Sequence, residues 1–366
     1  MVAPPGSLLV VSHPAVVEVN QDLYAHLVAS GMEVQLIVPA HWHHPYAPSG
    51  FTAAVHPGLV GRVHRVEVFG EGRPQRHLYR TRPRRWLRPG PAALYLEEEC
   101  FSIPAMQWGL AASRQGIPFG LQAWENLDRP LPAPVKALRT ALLRRASFIV
   151  ARTPAAAERV RAWGATGVVE VVESPVPSLD VPAPNHPRPF TVGYVGRLVP
   201  EKGVLDLAQA IEAVPEARLL IVGDGPLRND LTGRPRVELR AAVDHRSIGA
   251  IYAELDVLVL PSRTTATWAE QFGRVLVEAM SAGVAVVGSD SGEIPWVINS
   301  TGGGLVVPEG DVHALGAALR SLALDPARCQ ALAAAGRRAT ASRFTLAHSA
   351  AGLARLVEPF GVTSGG

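Results

Sequence analysis

The sequence predicts an α/β protein made of two doubly wound, parallel-sheet domains, and three observations predict it. Short apolar runs rich in Val, Ile and Leu alternate with helix-length patterns along the whole chain. The alternation is interrupted once, at 174–189, by a proline-rich stretch without periodicity that reads as a linker. The 366 residues suffice for two domains that each bury their own core.

In the N-terminal half the apolar runs at 8–12, 34–38, 94–96, 119–122, 148–151 and 168–172 read as strands. They are continuous rather than alternating, as expected of strands covered on both faces by helices. Residues 20–30 read as a helix with Asn20 as N-cap and Gly31 just beyond its end, and 102–115, 135–145 and 154–163 as further helices. After the linker the pattern restarts, with strands at 191–195, 219–222, 237–239, 257–260, 284–287 and 305–307. Helices follow at 204–213, 247–254, 274–282, 312–322 and 325–342. The domains are therefore expected at 1–178 and 179–343, with an amphipathic helix at 344–360 and a frayed end. Two such sheets are expected to bind a ligand in a cleft between them, at the carboxyl ends of their strands.

Composition narrows the class. The formal charge is +3 with the basic residues scattered, which does not suggest a nucleic-acid partner. Two distant cysteines, Cys100 and Cys329, suit a reducing compartment. The first residues lack the basic start and long apolar core of a signal peptide, and no apolar run approaches the ~20 residues that span a bilayer. A soluble, cytoplasmic protein is expected, with peripheral contact at the inner membrane face as an option.

The chemistry concentrates in the second half. Residues 261–283 read PSRTTATWAEQFGRVLVEAMSAG, a small-residue loop leading into a helix near Gly273. Glu270 stands in the loop, and Glu278 in the helix among Val275, Leu276, Val277, Ala279 and Met280. A carboxylate with such neighbours is expensive to bury unless partners satisfy it. A diol can do so, because one carboxylate accepts both hydroxyl protons. The plain alternative is a capping Glu270 and a Glu278 that faces solvent or a structural Arg. Residues 191–203, TVGYVGRLVPEKG, give a strand, a turn at Gly196, and then Arg197 and Lys202 beside a helix start. Two cations there suit a diphosphate, or merely point to water. Residues 221–226, IVGDGP, end another strand in a glycine turn at Gly223.

Taken in order, VGRLVPEKG, LLIVGDGPL, DVLVLPS, EQFGRVLVEAMSAG and GEIPWVI resemble the retaining glycosyltransferases of the GT-B fold, specifically glycosyltransferase family 4. The resemblance is dense from 191 to 307 and loose before it. It implies two Rossmann-like domains facing across a cleft, 1–178 binding the acceptor and 179–343 the nucleotide sugar, with 344–360 packing back on the first. It implies that Glu270, with the backbone of Gln271, Phe272 and Gly273, holds the hydroxyls of the transferred sugar. Arg197 and Lys202 would neutralise the departing diphosphate, and Glu278 would bind the ribose diol. Gly196, Gly223, Val275 and Leu276 would line the donor site. Asp244 stands where the base is read, beside a His245 that is equally a plain surface residue. The implied activity is retaining transfer of a hexosyl or N-acetylhexosaminyl group from a nucleotide sugar, UDP favoured, to a hydroxyl of a small-molecule, glycan or lipid-linked acceptor. No separate cofactor is implied. No two aspartates stand two residues apart, so no metal is expected at the diphosphate. A GT-B nucleotide-sugar epimerase and a catalytically silent nucleotide-sugar-binding partner protein are the alternatives that keep the same residues.

The first half departs from the family pattern. Many members have a Gly-Gly turn after the first strand, where this chain has Ser12-His13-Pro14 and then Asn20, which either caps a helix or presents its amide to the cleft. Many place a histidine after a mid-domain strand, where this chain has Gln122 to Asn126, leaving Glu125 or Asn126 to contact sugar or acceptor. Glu98 or Glu99, facing the cleft, would suit a cationic acceptor such as an amino sugar; a solvated acidic turn at 97–99 is the plain reading. His41-Trp42-His43-His44 invites zinc, but the Pro-flanked loop has no obvious further ligand. The basic cluster 80–88, with Trp86 inside it, suits an anionic membrane surface or a phosphorylated acceptor, or else is the solvated face of a connecting helix. The run 288–292 has Asp290 where a serine hydrolase needs its nucleophile.

Overall fold

The computed structural model describes residues 3–44, 47–176, 179, 181–182, 188–243 and 247–362. The chain divides into two compact units, one of residues 1–177 with 346–366, the other of 178–345. No helix among the described residues is long and apolar enough to cross a membrane.

The first unit runs β1 (Leu8–Ser12), α1 (Asp22–Ala29), β2 (Val34–Pro39), β3 (His41–His44), β4 (Ala47–Thr52), β5 (Val63–Val66), β6 (Val68–Phe69), β7 (Leu78–Tyr79), β8 (Ala93–Glu99), α2 (Ile103–Arg114), β9 (Phe119–Ala123), α3 (Ala133–Leu143), β10 (Phe148–Ala151), α4 (Pro154–Ala162) and β11 (Val168–Val171). Its seven-stranded sheet has the order β11-β10-β9-β8-β1-β2-β5. Every pairing in it is parallel, with Val10 facing Leu36 on one side and Tyr95 on the other. The five residues of β1 are all buried, which is why that strand reads as an unbroken apolar run.

The second unit runs β12 (Thr191–Val195), α5 (Val204–Ala210), β13 (Arg218–Val222), α6 (Arg228–Leu231), β14 (Val237–Arg240), α7 (Ile248–Tyr252), β15 (Val257–Leu260), α8 (Arg274–Ser281), β16 (Ala285–Ser289), α9 (Ile294–Thr301), β17 (Gly304–Val307), α10 (Val312–Leu324) and α11 (Pro326–Arg343). Its six strands are also parallel, in the order β14-β13-β12-β15-β16-β17. A last helix, α12 (Leu346–Val357), belongs to the first unit. It buries Leu353, Leu356 and Val357 there, and Ser349 donates to the Glu173 carbonyl at 2.7 Å.

Four expectations are corrected. Asn20 does not cap the first helix. Two 3-10 turns, Pro14–Val16 and Glu18–Gln21, carry the chain out of β1, so the helix begins at Asp22 with Gln21 before it. The Asn20 amide instead donates to the Pro14 carbonyl at 2.8 Å, tying the two turns together. Residues 97–99 are not a solvated turn but the end of β8, where Glu98 is buried. The 80–88 cluster holds a single turn at Pro83–Arg85 rather than a helix, the span between Pro83 and Pro89 being too short to propagate one. The histidine run is a strand of an antiparallel hairpin, pairing Trp42 with Phe51.

Candidate active site

In the second unit the chain leaves β12 for β13 and β14 on one side, then returns to β15 on the other. The carboxyl ends of β12 and β15 therefore form the topological switch point, the place where open parallel sheets bind ligands. After β12 the backbone folds over the sheet rim. Gly196 N–H donates to Val222 at 3.0 Å, Leu198 N–H to the Asp224 carbonyl at 2.9 Å, and the Tyr194 hydroxyl to the Arg197 carbonyl at 2.6 Å. Gly223 lies against Gly196, and Arg197 is half-buried on this rim. A 3-10 turn, Pro200–Lys202, ends at Gly203 with φ +63°. A Cβ at Gly203 would lie 1.9 Å from the Pro261 carbonyl oxygen, so only glycine lets the two loops approach this closely.

That approach brings Lys202 to Glu270. The Lys202 Nζ donates to Glu270 Oε2 at 2.5 Å and lies 4.8 Å from the Trp268 ring centroid. Ser262 Oγ donates to the same carboxylate oxygen at 3.0 Å. The backbone under Glu270 is pinned by Gly292, with φ +55°, whose Cβ position is 2.1 Å from the Glu270 carbonyl, and by Glu293 N–H, which donates to that carbonyl at 2.9 Å. Arg263 forks onto Asp206 with two 2.6 Å bonds, fastening the loop to α5. Glu270 thus carries a cation and a hydroxyl; the Lys202 and Glu270 side chains are 14% and 11% exposed, while Ser262 is wholly buried.

Beside it α8 starts at Gly273 with no side chain capping it, leaving N–H groups of its first turn for a ligand oxygen. Gln271 and Val275 are half-buried, and Phe272 packs its ring near Trp296 and Phe344. Leu276 is wholly buried, so only its backbone can face a ligand. Glu278 accepts from Tyr252 Oη at 2.8 Å and from Arg274 Nε at 3.0 Å, so a structural arginine does meet this carboxylate. Burial, with the Glu278 charge added, pushes the Tyr252 phenol well above its ordinary range, which keeps it a donor. Asp244, like His245, lies outside the described residues.

The first unit has its own switch point, between β1 and β8. Ser12 Oγ and Tyr24 Oη both donate to Glu97 Oε2, at 2.5 and 2.6 Å. His13 gives its backbone N–H to Glu98 Oε1 at 3.1 Å and sets Nδ1 2.8 Å from Oε2. Burial works to raise the Glu98 carboxyl, but the facing His13 and His77 outweigh it and hold it below the usual carboxylate range. Burial pushes Glu99 up to about 8, only partly offset by the Trp124 N–H at 2.8 Å. Glu125, on the loop after the neighbouring β9, is buried and forms an ion pair with Arg129, whose Nε lies 2.9 Å away. Asn126, also buried, lends its carbonyl to Arg159 at 3.2 Å. Glu98, Glu99, Glu125 and Asn126 thus gather at adjacent strand ends, each engaged within the unit, while the Asn20 amide is held by Pro14.

Sequence reasoning missed Tyr252, Ser262, Trp268, His13 and His77. Ser262 and Trp268 stood inside the quoted loop. His13 directly follows the first strand, where the family pattern directed attention to a glycine pair. His77 sits among Gly, Pro and Arg residues with no periodicity to mark it.

The comparisons with known proteins agree with this architecture. The family described as "Glycosyl transferases group 1" matches residues 189–325, and that described as "Glycosyl transferase 4-like domain" matches 15–175. The lipopolysaccharide core biosynthesis glycosyltransferase LpsD of Rhizobium meliloti is 30% identical over 258 residues, 63% of this chain and 73% of that protein. The sulfoquinovosyl transferase SQD2 of Arabidopsis thaliana is 33% identical over 163 residues, 43% of this chain and 31% of its own length. The chain thus spans about a third of that relative, and the glycogen synthase of Mycobacterium tuberculosis is matched over 41% of its length. Among solved structures, Anabaena HepE in complex with UDP has a TM-score of 0.72 at 15% identity, covering 96% of this chain and 100% of that one. Sucrose-phosphate synthase from Thermosynechococcus elongatus has a TM-score of 0.70 at 19% identity, covering 97% and 98%. Two parallel-sheet units with these structural neighbours make a GT-B fold, and the chain belongs to the group 1 glycosyltransferases, family 4.

Proposed function

We propose that this chain transfers a hexosyl or N-acetylhexosaminyl group from a nucleoside diphosphate sugar, with retention at the anomeric carbon, to a hydroxyl of a small-molecule, glycan or lipid-linked acceptor. The observation that carries the reading is the Lys202–Glu270 contact at the switch point, beside the uncapped start of α8. When the anomeric C–O bond breaks, its electrons pass to the diphosphate, and that charge is the main barrier. Arg197, Lys202 and the helix start stabilise it without a metal at the diphosphate and without proton transfer from the protein. As the donor arrives, Lys202 turns from Glu270 to the phosphate, and the freed carboxylate oxygens accept hydroxyls of the sugar. The acceptor oxygen attacks on the face the diphosphate leaves, and its proton goes to the departing phosphate oxygen. Glu278, steadied by Tyr252 and Arg274, takes the ribose diol.

UDP is the favoured donor nucleotide, in line with the UDP seen in HepE, while a relative such as the mannosyltransferase of Mycolicibacterium smegmatis is GDP-mannose-dependent. Small aminocyclitol acceptors are included because a 2-deoxystreptamine glucosyltransferase of Streptomyces kanamyceticus is 29% identical over 67% of its length. A cytoplasmic location, peripheral at most, suits the two buried free thiols. The test is a panel of nucleotide sugars scored by thermal stabilisation and then by nucleoside diphosphate release, with and without added Mg²⁺ or Mn²⁺. Glu270→Gln and Lys202→Ala should each lower kcat by about 100-fold or more while keeping the fold. Turnover that survives both substitutions, or that requires the added metal, would sink the reading.

A further inference from the structure

We propose that His13, His77 and Glu98 form a binding site for a divalent cation of the zinc class at the switch point of the first unit. One ligand atom from each of His13, His77 and Glu98 lies within 4.8 Å of the other two, and His13 Nδ1 and His77 Nε2 stand 2.8 and 3.6 Å from the carboxylate. Ligands about 2.1 Å from a tetrahedral zinc stand about 3.4 Å apart, so small side-chain movements admit the ion.

His77 carries the argument. Its ring is wholly buried, and Nδ1 faces the carbonyl oxygens of Pro74 at 3.0 Å and Arg73 at 3.4 Å, so Nδ1 bears the hydrogen. In the neutral ring Nε2 is then a bare lone pair. It has no hydrogen-bond partner, yet it is aimed at a buried carboxylate. A metal ion set between Nε2 and the carboxylate would bond to both and satisfy the unpartnered nitrogen. An imidazole that gives its other N–H to a backbone carbonyl is also the usual support for a metal-bound histidine. His13 is fixed independently by its backbone bond to Glu98.

The surroundings suit a metal. The Trp42 ring lies 5.1 Å from His13 and 5.0 Å from His77, and Tyr79 lies 5.2 Å from His77, walling the site with aromatic rings. The His13 side chain is 18% exposed, which supplies an entry path and an open coordination position for a water oxygen. Two imidazoles and one carboxylate favour zinc over calcium or magnesium. The histidine run 41–44 contributes Trp42 as wall, and no other such ligand group occurs among the described residues.

The inference does not rest on the transferase reading, because it is tested without turnover. Untagged protein, stripped with a chelator and dialysed against Zn²⁺, is expected to hold one ion per chain by elemental analysis. Competition with a chromogenic chelator should show affinity weakened by roughly 100-fold or more in His77→Ala and Glu98→Gln. His13→Ala, at the partly exposed position, serves where the buried variants fail to fold, and the exposed His43→Ala should bind like the parent. Cobalt should give visible bands of a low-coordinate N/O site. A parent protein that binds no stoichiometric zinc overturns the proposal; so does full binding by His13→Ala.

Discussion

Each unit brings a nitrogen-bearing side chain and a carboxylate together where its strand order reverses, Lys202 with Glu270 in the second and His13 with Glu98 in the first. The settings differ. In the second unit the pair is held by loops that two glycines allow to touch, and it stays near the surface. In the first, the carboxylates belong to the sheet itself and are consumed by Ser12, Tyr24, His13 and the Trp124 N–H. The same topology therefore supports one pair carried wholly on loops and one whose carboxylate is anchored in the sheet.

The sharpest way to break that comparison is Arg152→Met. Arg152 is buried, forks onto Gln122 Oε1 at 2.8 and 2.6 Å, donates to the Val172 carbonyl at 3.2 Å and lies 3.9 Å from Glu97. Removing a buried cation from such a network should cost roughly 3–5 kcal/mol in urea denaturation. Hydrogen exchange should then rise in β8–β11 and α12, and equal loosening of β12–β17 would contradict the assignment of this network to the first core. Gly203→Ala should cost about 2–4 kcal/mol, because the new methyl meets the Pro261 carbonyl and the φ is positive. The loosening should appear in the second unit, together with loss of nucleotide-induced stabilisation. A variant as stable as the parent would mean that the loops separate at little cost.

The smallest effect is expected from Tyr252→Phe, about 1 kcal/mol, because Arg274 still holds Glu278. Calorimetric titration with the nucleotide should show weaker binding than the parent. Unchanged affinity would mean that Tyr252 serves packing alone.

Much of the fold was legible because buried parallel strands are spelled as unbroken apolar runs, as in LLVVS, FIVA and VLVL. β5, spelled VHRV, alternates over too few residues to stand out, and α9 hides behind Pro295. Glu270, Lys202 and Glu278 were legible because the loop and helix carrying them have a recognisable order. Their partners were not. Tyr252 reaches Glu278 from 26 residues away and Ser262 reaches Glu270 from eight, contacts set by packing rather than by local pattern. Three consecutive glutamates look like a turn because the groups that satisfy them come from residues near 12, 24, 77 and 124, which only the assembled sheet collects.

The last helix has a consequence for synthesis. The first unit is discontinuous, its core completed by Leu353, Leu356 and Val357, while the second is one unbroken stretch of chain. Domains usually close in the order in which they leave the ribosome. Here the unit made first waits for residues made after the second, so the second can close while the sheet of the first still lacks a cover. During that interval the Val172 surface that packs against Gly352 of α12 is bare. That surface needs shielding until α12 has been made.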